Sequence, residues 1–339
     1  MFEGPNEYLY GEETALLETI EGRYPFPRIA PPWRRGDREV VERAGDASSR
    51  SGLSSHVVMA EADSEGAPPT LVDNVETLAN IPRIVARGAA WFRTEGTEKS
   101  PGTIVCTVIG DVQREGVGEV IMGTPLRDVI DAISGGPRPG RRIKAVLPGV
   151  STGVITGDQL DVPLTYEDMT AIGVGLGSGG FMVFDDTADL AAVAAGVSRF
   201  LAVESCGQCT PCKLDGVALS GLLDKLCQSN VSETEWRRIL SLVSTVGDRA
   251  RCTLGTQHQS VIDSIIRTFP DDLAAHVSGA AKPVTPRLIA ELVEFSGDEA
   301  VLDERHLDKQ PDWTYDAEDS GQSPADRYGE HRHQVPLEE

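Results

Sequence analysis

Glu204-Ser205-Cys206-Gly207-Gln208-Cys209-Thr210-Pro211-Cys212-Lys213 decides how the rest of this chain is read. Three cysteines recur every third residue, and a fourth, Cys252, follows about forty residues later in Arg251-Cys252-Thr253-Leu254-Gly255. Three thiolates from one tight loop and one distant thiolate form the ligand pattern of a [4Fe–4S] cluster. The loop places three sulfurs around one side of a cubane, and Cys252 must come from another element to close the fourth corner. Gly207 lets backbone amides approach the inorganic sulfides, and such hydrogen bonds tune the potential.

Other uses of these cysteines are weighed beside the cluster. A structural zinc site also uses two-residue cysteine spacings, but it takes two cysteines from each of two knuckles, whereas the split here is three and one. Buried inert thiols are a further alternative. Six cysteines in 339 residues do not make a disulfide framework.

Composition excludes several function classes. Lys and Arg number 31 against 53 Asp and Glu, a net charge of −22. Nucleic acid is therefore not an expected partner, since phosphate binding needs clustered basic residues. No run of about eighteen apolar residues exists, so no transmembrane segment is expected. The N-terminus lacks a basic-then-apolar signal pattern. A reducing cytoplasmic setting suits a thiolate cluster. The length allows two or three domains.

Upstream of the cysteines, Leu190, Val193, Val197 and Leu201 share one helical face. Downstream, Val217, Leu219, Leu222, Leu223 and Leu226 mark a second helix, whose Cys227 reads as core. Ser232 and Glu235 make a capping box opening a third helix with Ile239, Leu240, Leu242 and Val243. His258–Phe269 forms a fourth. The helix N-termini carry partial positive charge that offsets a cluster's negative charge. His258 is chemically able to bind iron, but four cysteines already satisfy a cluster.

Further out, Thr103–Gly110 is a β-branched strand with Gly118–Gly123 as its hairpin partner. Thr124 is the expected N-cap of a helix with Pro125 at its first position. Arg142–Leu147 and Gly153–Thr156 are further strands, together a small α+β unit of β-grasp type. Cys106, inside a strand, reads as a packed thiol. Gly175–Gly180 is a tight turn entering a strand, since no Lys-Ser/Thr follows as in a phosphate loop.

At the N-terminal end, Gly11-Glu12-Glu13-Thr14 opens a helix with Leu16, Leu17 and Ile20 as its apolar face. Two carboxylates beside a glycine suit either a ligand's hydroxyls or a helix's first turn, and residue chemistry alone favours the helix. Pro25–Trp33 is an extended, proline-fixed strap. Residues 34–68 are polar and charge-mixed, and are read as a loop. A helix follows with Asp73 or Asn74 as N-cap and Val75, Leu78 and Ile81 as its buried stripe. Residues 283–339 read as an acidic, largely disordered tail in which His306, His331 and His333 are scattered.

Together these segments resemble the flavin-binding, NADH-oxidising 51 kDa subunit of respiratory complex I, a module also found in NAD-reducing hydrogenases and NAD-dependent formate dehydrogenases. The likeness rests on Tyr8–Leu16 with Gly11-Glu12-Glu13-Thr14, Pro27-Arg28 with Pro31-Pro32, Asp73–Leu78, Gly177–Gly180, Glu204–Lys213 and Cys252–Gly255.

The resemblance implies an α+β multidomain chain. Residues 1–92 would be part of an FMN/NADH-binding α/β domain, 93–186 a β-grasp domain of the soluble-ligand-binding (SLBB) type, and 187–282 a four-helix bundle holding the [4Fe–4S] centre. It implies Cys206, Cys209, Cys212 and Cys252 as cluster ligands. Tyr8, Gly11, Glu12, Glu13, Asp73 and Asn74 would sit at the flavin, with Glu13 near the nicotinamide side. Hydride would pass from NADH to FMN, and electrons would leave singly through the cluster. Implied partners are a thioredoxin-like [2Fe–2S] subunit and other oxidoreductase subunits, in a complex peripheral to a membrane.

The family's glycine-rich FMN-phosphate loops do not precede the Gly-Glu-Glu-Thr motif here. Ala30 and Trp33 stand where relatives commonly carry Lys and Phe, and the segment after Trp33 is longer. The expectation is a chain that does not oxidise NADH alone: either a separate polypeptide supplies the missing half of the flavin site, or the chain is a fragment of a longer protein, or it is an electron relay. A scaffold or assembly protein with a structural cluster and a zinc-stabilised binding module are the competing readings.

Overall fold

The computed structural model describes residues 2–28 and 71–328. The strap beyond Arg28, the polar segment 34–68, His331 and His333 lie outside the described residues. In chain order, a 3₁₀ turn at Tyr8–Gly11 leads into α1 (Glu13–Ile20), followed by α2 (Val75–Arg87) and the short α3 (Ala89–Phe92). Then come β1 (Thr103–Gly110), β2 (Gly116–Ile121), α4 (Leu126–Ser134), β3 (Ile143–Leu147), β4 (Ile155–Thr156), α5 (Tyr166–Ala171) and β5 (Gly180–Asp185). A helical unit follows: α6 (Leu190–Glu204), α7 (Thr210–Cys227), α8 (Glu233–Thr245), α9 (Leu254–Thr268) and α10 (Pro270–Val277). The hairpin β6 (Leu292–Ser296) and β7 (Glu299–Leu302), a 3₁₀ turn at Glu304–Leu307 and α11 (Pro324–Tyr328) complete it.

The five strands order as β2-β1-β5-β3-β4. The β1/β5 pair is parallel and the other pairs are antiparallel. Period-two burial along β1 sends Ile104, Cys106 and Val108 inward. There they meet Leu126, Val129 and Ile130 of α4. Gly179, at φ +79°, feeds β5 through a tight turn, because a Cβ there would stand 2.6 Å from the Val105 carbonyl oxygen. The sequence places the α4 N-cap one residue early. Pro125, not Thr124, is the cap, and Pro125 is held extended by its bridge to Pro163.

Helix α6 is the axis of the second core. Every residue of Leu190–Glu204 except Arg199 is buried, as expected of a helix apolar on nearly all sides. Leu219 and Leu223 of α7, Ile239 of α8, and Val261 and Ile262 of α9 pack in the same cluster. The capping box at Ser232/Glu235 forms as its spacing requires. Cys106 and Cys227 are fully buried packing residues.

Three sequence expectations fail, each for a tertiary reason. In α1 the buried side chains are Thr14, Ala15 and Thr19, while Ile20 is exposed. Thr14 is drawn in because its hydroxyl accepts the Arg28 backbone N–H at 2.8 Å. In α2 the stripe of Val75, Leu78 and Ile81 is exposed, by 78%, 45% and 43%, because no other described element covers it. Finally, residues 283–328 carry structure where the composition suggests a disordered tail. Their His306, Lys309, Asp312 and Ser323 are buried in paired contacts, and Trp313 and Tyr328 pack on Phe26 and Tyr24. Low apolar content signals disorder only when the polar groups stay solvated.

Candidate metal centre

Helix α6 ends at Glu204, and Ser205 turns extended. Gly207 sits at φ +77°, a left-handed position that favours glycine, with the Ser323 side chain against it. Cys209 then caps α7, whose first turn contains Pro211 and Cys212. Cys252 lies in the turn that leads into α9. Cys206, Cys209, Cys212 and Cys252 line one cavity, closed by Leu9, Pro27, Leu254 and Gly255.

Donors converge on these sulfurs. The Gln208 side-chain amide donates to Cys206 Sγ at 3.3 Å, and the Arg251 backbone N–H to Cys209 Sγ at 3.4 Å. Ser205 Oγ lies 3.3 Å from Cys212 Sγ. Gln208 is itself fixed, since its amide donates to the Pro27 carbonyl at 3.1 Å and its oxygen accepts from Arg251 at 2.8 Å. Such N–H···S contacts stabilise negative charge on a thiolate-bound cluster.

Burial pushes the Cys206 thiol up, that of Cys212 up to about 12 and that of Cys252 up to about 11. These protons leave only when a metal group replaces them as the compensating charge. Among the described residues, no three His, Cys, Asp or Glu side chains converge for a single metal ion. What the four cysteines share is a cavity. The donor set fits an iron–sulfur cluster.

The other sequence-selected residues divide into two groups. Tyr8 lies beside the centre. Its backbone N–H donates to Glu204 Oε2 at 3.1 Å, its hydroxyl to Gln257 at 3.4 Å, and its ring meets Phe200 edge-on at 5.3 Å. Burial pushes its phenol upward. Gly11 is exposed in the following turn. The Glu12 carboxylate caps α1, accepting from the Ala15 N–H at 2.8 Å and the Thr14 hydroxyl at 2.5 Å. That is the helix-end role its position suggests. Glu13, half-buried, opens α1 with no side-chain hydrogen bond among the described residues. Asp73 and Asn74 are exposed at the start of α2. Asp73 Oδ1 accepts the Asn74 N–H at 2.8 Å, and among the described residues no hydrogen bond joins either to Tyr8–Glu13.

His258 is not at the cavity. It is fully buried in α9, its Nε2 2.7 Å from Ser198 Oγ, and burial lowers its pKa to about 4. The sequence offers no sign of a buried network behind the cysteine loop. Lys309 Nζ donates to Glu204 Oε1 at 2.7 Å and to Glu7 Oε2 at 2.5 Å. His306 Nε2 lies 3.2 Å from Glu204 Oε1. Glu204 stands within the decisive stretch, but Lys309 lies in a polar region with no motif to flag it.

Residues 192–276 match the family described as the NADH-ubiquinone oxidoreductase-F iron-sulfur binding region. The chain is 35% identical over 285 residues to the F subunit of the Mycobacterium bovis NADH-quinone oxidoreductase, covering 84% of this chain and 58% of that one. It is 35% identical over 281 residues to the HndC subunit of the Solidesulfovibrio fructosivorans NADP-reducing hydrogenase, covering 83% and 52%. A crystal structure of an NAD⁺-reducing [NiFe]-hydrogenase superposes with a TM-score of 0.65 at 29% identity, over 81% of this chain and 42% of that one.

Over more than four-fifths of its length the chain is similar to 51 kDa NADH dehydrogenase subunits, and residues 192–276 match that family's iron–sulfur binding region. The chain spans between about half and three-fifths of the length of the curated relatives it matches. A [4Fe–4S] cluster is the cofactor of the matched region, and FMN and NADH are typical of the family. Among the described residues, no helix is long and apolar enough to cross a membrane.

Proposed function

We propose that this chain is the iron–sulfur electron-transfer part of an NADH:acceptor oxidoreductase, with Cys206, Cys209, Cys212 and Cys252 as cluster ligands. The observation that carries the reading is the single cavity those four cysteines line, closed by Leu9 and Pro27 from the segment that carries Tyr8–Glu13. When bound there, a [4Fe–4S] centre passes electrons one at a time between flavin and an acceptor. The chain's own residues hold the thiolates, direct N–H donors at them and exclude water with Leu9 and Leu254.

In this reading residues 93–186 are the β-grasp domain of soluble-ligand-binding type, supported by the strand order with its central parallel pair and by α4 across one face. Residues 187–282 are the cluster-bearing bundle, and 1–92 belong to the flavin-side domain. Tyr8, Gly11, Glu12, Glu13, Asp73 and Asn74 meet FMN and NADH only when further polypeptide completes that domain. The apolar stripe on α2, bare among the described residues, favours this. Partners are oxidoreductase subunits, a thioredoxin-like [2Fe–2S] subunit among them, since the relatives' names are those of complex subunits.

The test is anaerobic reconstitution of the full chain. We expect about four iron and four sulfide per chain and a paramagnetic signal on reduction. Zinc without sulfide, or a centre silent at every potential, overturns the electron-transfer reading. NADH–ferricyanide turnover with added FMN is expected to be absent, and robust turnover overturns the need for further polypeptide.

A further inference from the structure

Lys309 is 1% exposed, which is rare for an ammonium and needs a compensating arrangement. It has one. Its Nζ bonds Glu204 and Glu7, and the rings of Tyr315 and Trp313 stand 5.6 and 6.0 Å away. Burial alone would lower its pKa, but the two carboxylates reverse this and hold it above the ordinary lysine value. Burial likewise works to raise Glu204, yet His306 and Lys309 hold it below the usual carboxylate range. Glu7 is different: burial wins over Lys309 and pushes it up to about 7.

This network, and the segment that carries Lys309, touch the cysteine loop at several points. Glu204 Oε2 accepts from Tyr8, whose neighbour Leu9 lines the cluster cavity. Ser205, the next residue, contacts Cys212 Sγ. The Ala325 N–H donates to the Cys206 carbonyl at 2.9 Å, and Lys213 pairs with Asp326. The segment that supplies Lys309, Ser323 and Ala325 lies beyond residues 192–276, so the match to the iron–sulfur region assigns it nothing.

We propose that Lys309 sets the reduction potential of the cluster, its buried ammonium neutralising Glu204 and Glu7 directly behind the cysteine loop, so that residues 303–328 form a working wall of the redox site. The inference rests on the electron-transfer reading above. Reduction adds one negative charge to the centre. A fixed cation in a poorly screened interior favours that charge, and an uncompensated carboxylate opposes it. Removal of the ammonium therefore lowers the potential, and removal of the Glu7 charge raises it. A role in packing alone would shift neither with this sign.

The experiment is an EPR-monitored redox titration of the full reconstituted chain, at a pH well above the titration of Glu7 both in the wild type and in Lys309→Met, where the loss of the ammonium raises it further. Lys309→Met is expected to lower the reduced-to-oxidised ratio at the wild-type midpoint about tenfold, equivalent to about 59 mV for one electron. Lys309→Arg keeps the charge and is expected to restore most of the ratio. Glu7→Gln is expected to raise it. A Lys309→Met protein with full iron content that titrates at the wild-type midpoint overturns the proposal. Should Lys309→Met fail to hold a cluster, Glu7→Gln decides, because it keeps the ammonium. An unmoved or lowered Glu7→Gln midpoint refutes the role of Lys309. Absence of any cluster in the wild type would instead sink the electron-transfer reading, a separate failure.

Discussion

The two ends of this molecule are finished to different degrees. Around α6 and the cysteine loop, apolar side chains are buried and the buried ions are paired: Glu204 has three partners and Lys309 two. Around α2, Val75 and Val85 are each about four-fifths exposed, and Asp73 and Asn74 face solvent. The first region is a self-sufficient core. The second presents an apolar face that no other described element covers, and an amphipathic helix gains little from such a face left in water.

Substitutions test this contrast from both sides. Cys252→Ala is expected to have the largest effect. It removes the one ligand brought from the turn before α9, and the chain should lose the cluster altogether, read as loss of iron and sulfide and of the reducible signal. Next is Leu223→Ala in α7. That side chain is fully buried in the main core, and truncation should cost about 2–5 kcal/mol, measured by denaturant unfolding. A loss below about 1 kcal/mol would mean that the core is looser than its burial implies.

Acid sensitivity comes third. The His258 pKa is lowered to about 4 from an ordinary 6.5. As pH falls through 6.5 the unfolded chain takes up this proton first, so the stability His258 contributes is full above that pH and is lost on descent toward 4. The loss is on the order of 3 kcal/mol at most. His258→Leu should flatten the acid limb between about pH 7 and pH 4.5, and an unchanged limb would contradict this account.

The smallest effect should be at α2. Leu78→Lys, on its exposed stripe, should change the stability of the isolated chain by no more than about 0.5 kcal/mol. A loss of several kcal/mol would show that the stripe is covered after all.

Local signals in the sequence foresee the cysteine loop, the Ser232 capping box, the strands flanking Gly110 and the turn at Gly179, because each depends on a few neighbouring residues. The same rules mislead at α1 and α2. Periodicity identifies an apolar face but not whether another element meets it. The region after residue 283 misleads in the opposite sense. Its polar composition hides Lys309, whose burial depends on carboxylates 105 and 302 positions earlier in the chain.

That three thiols share a bend, and that a fourth must be delivered to them, can be read from the residues alone, because cysteine spacing is a local property written in the chain. What stands behind that bend emerges only on folding: a buried cation balanced between two acids, contributed by a segment with no motif of its own. Ligand spacing is fixed by covalent connectivity, whereas the cost of burying a charge is met by whichever partners the fold brings within hydrogen-bonding distance.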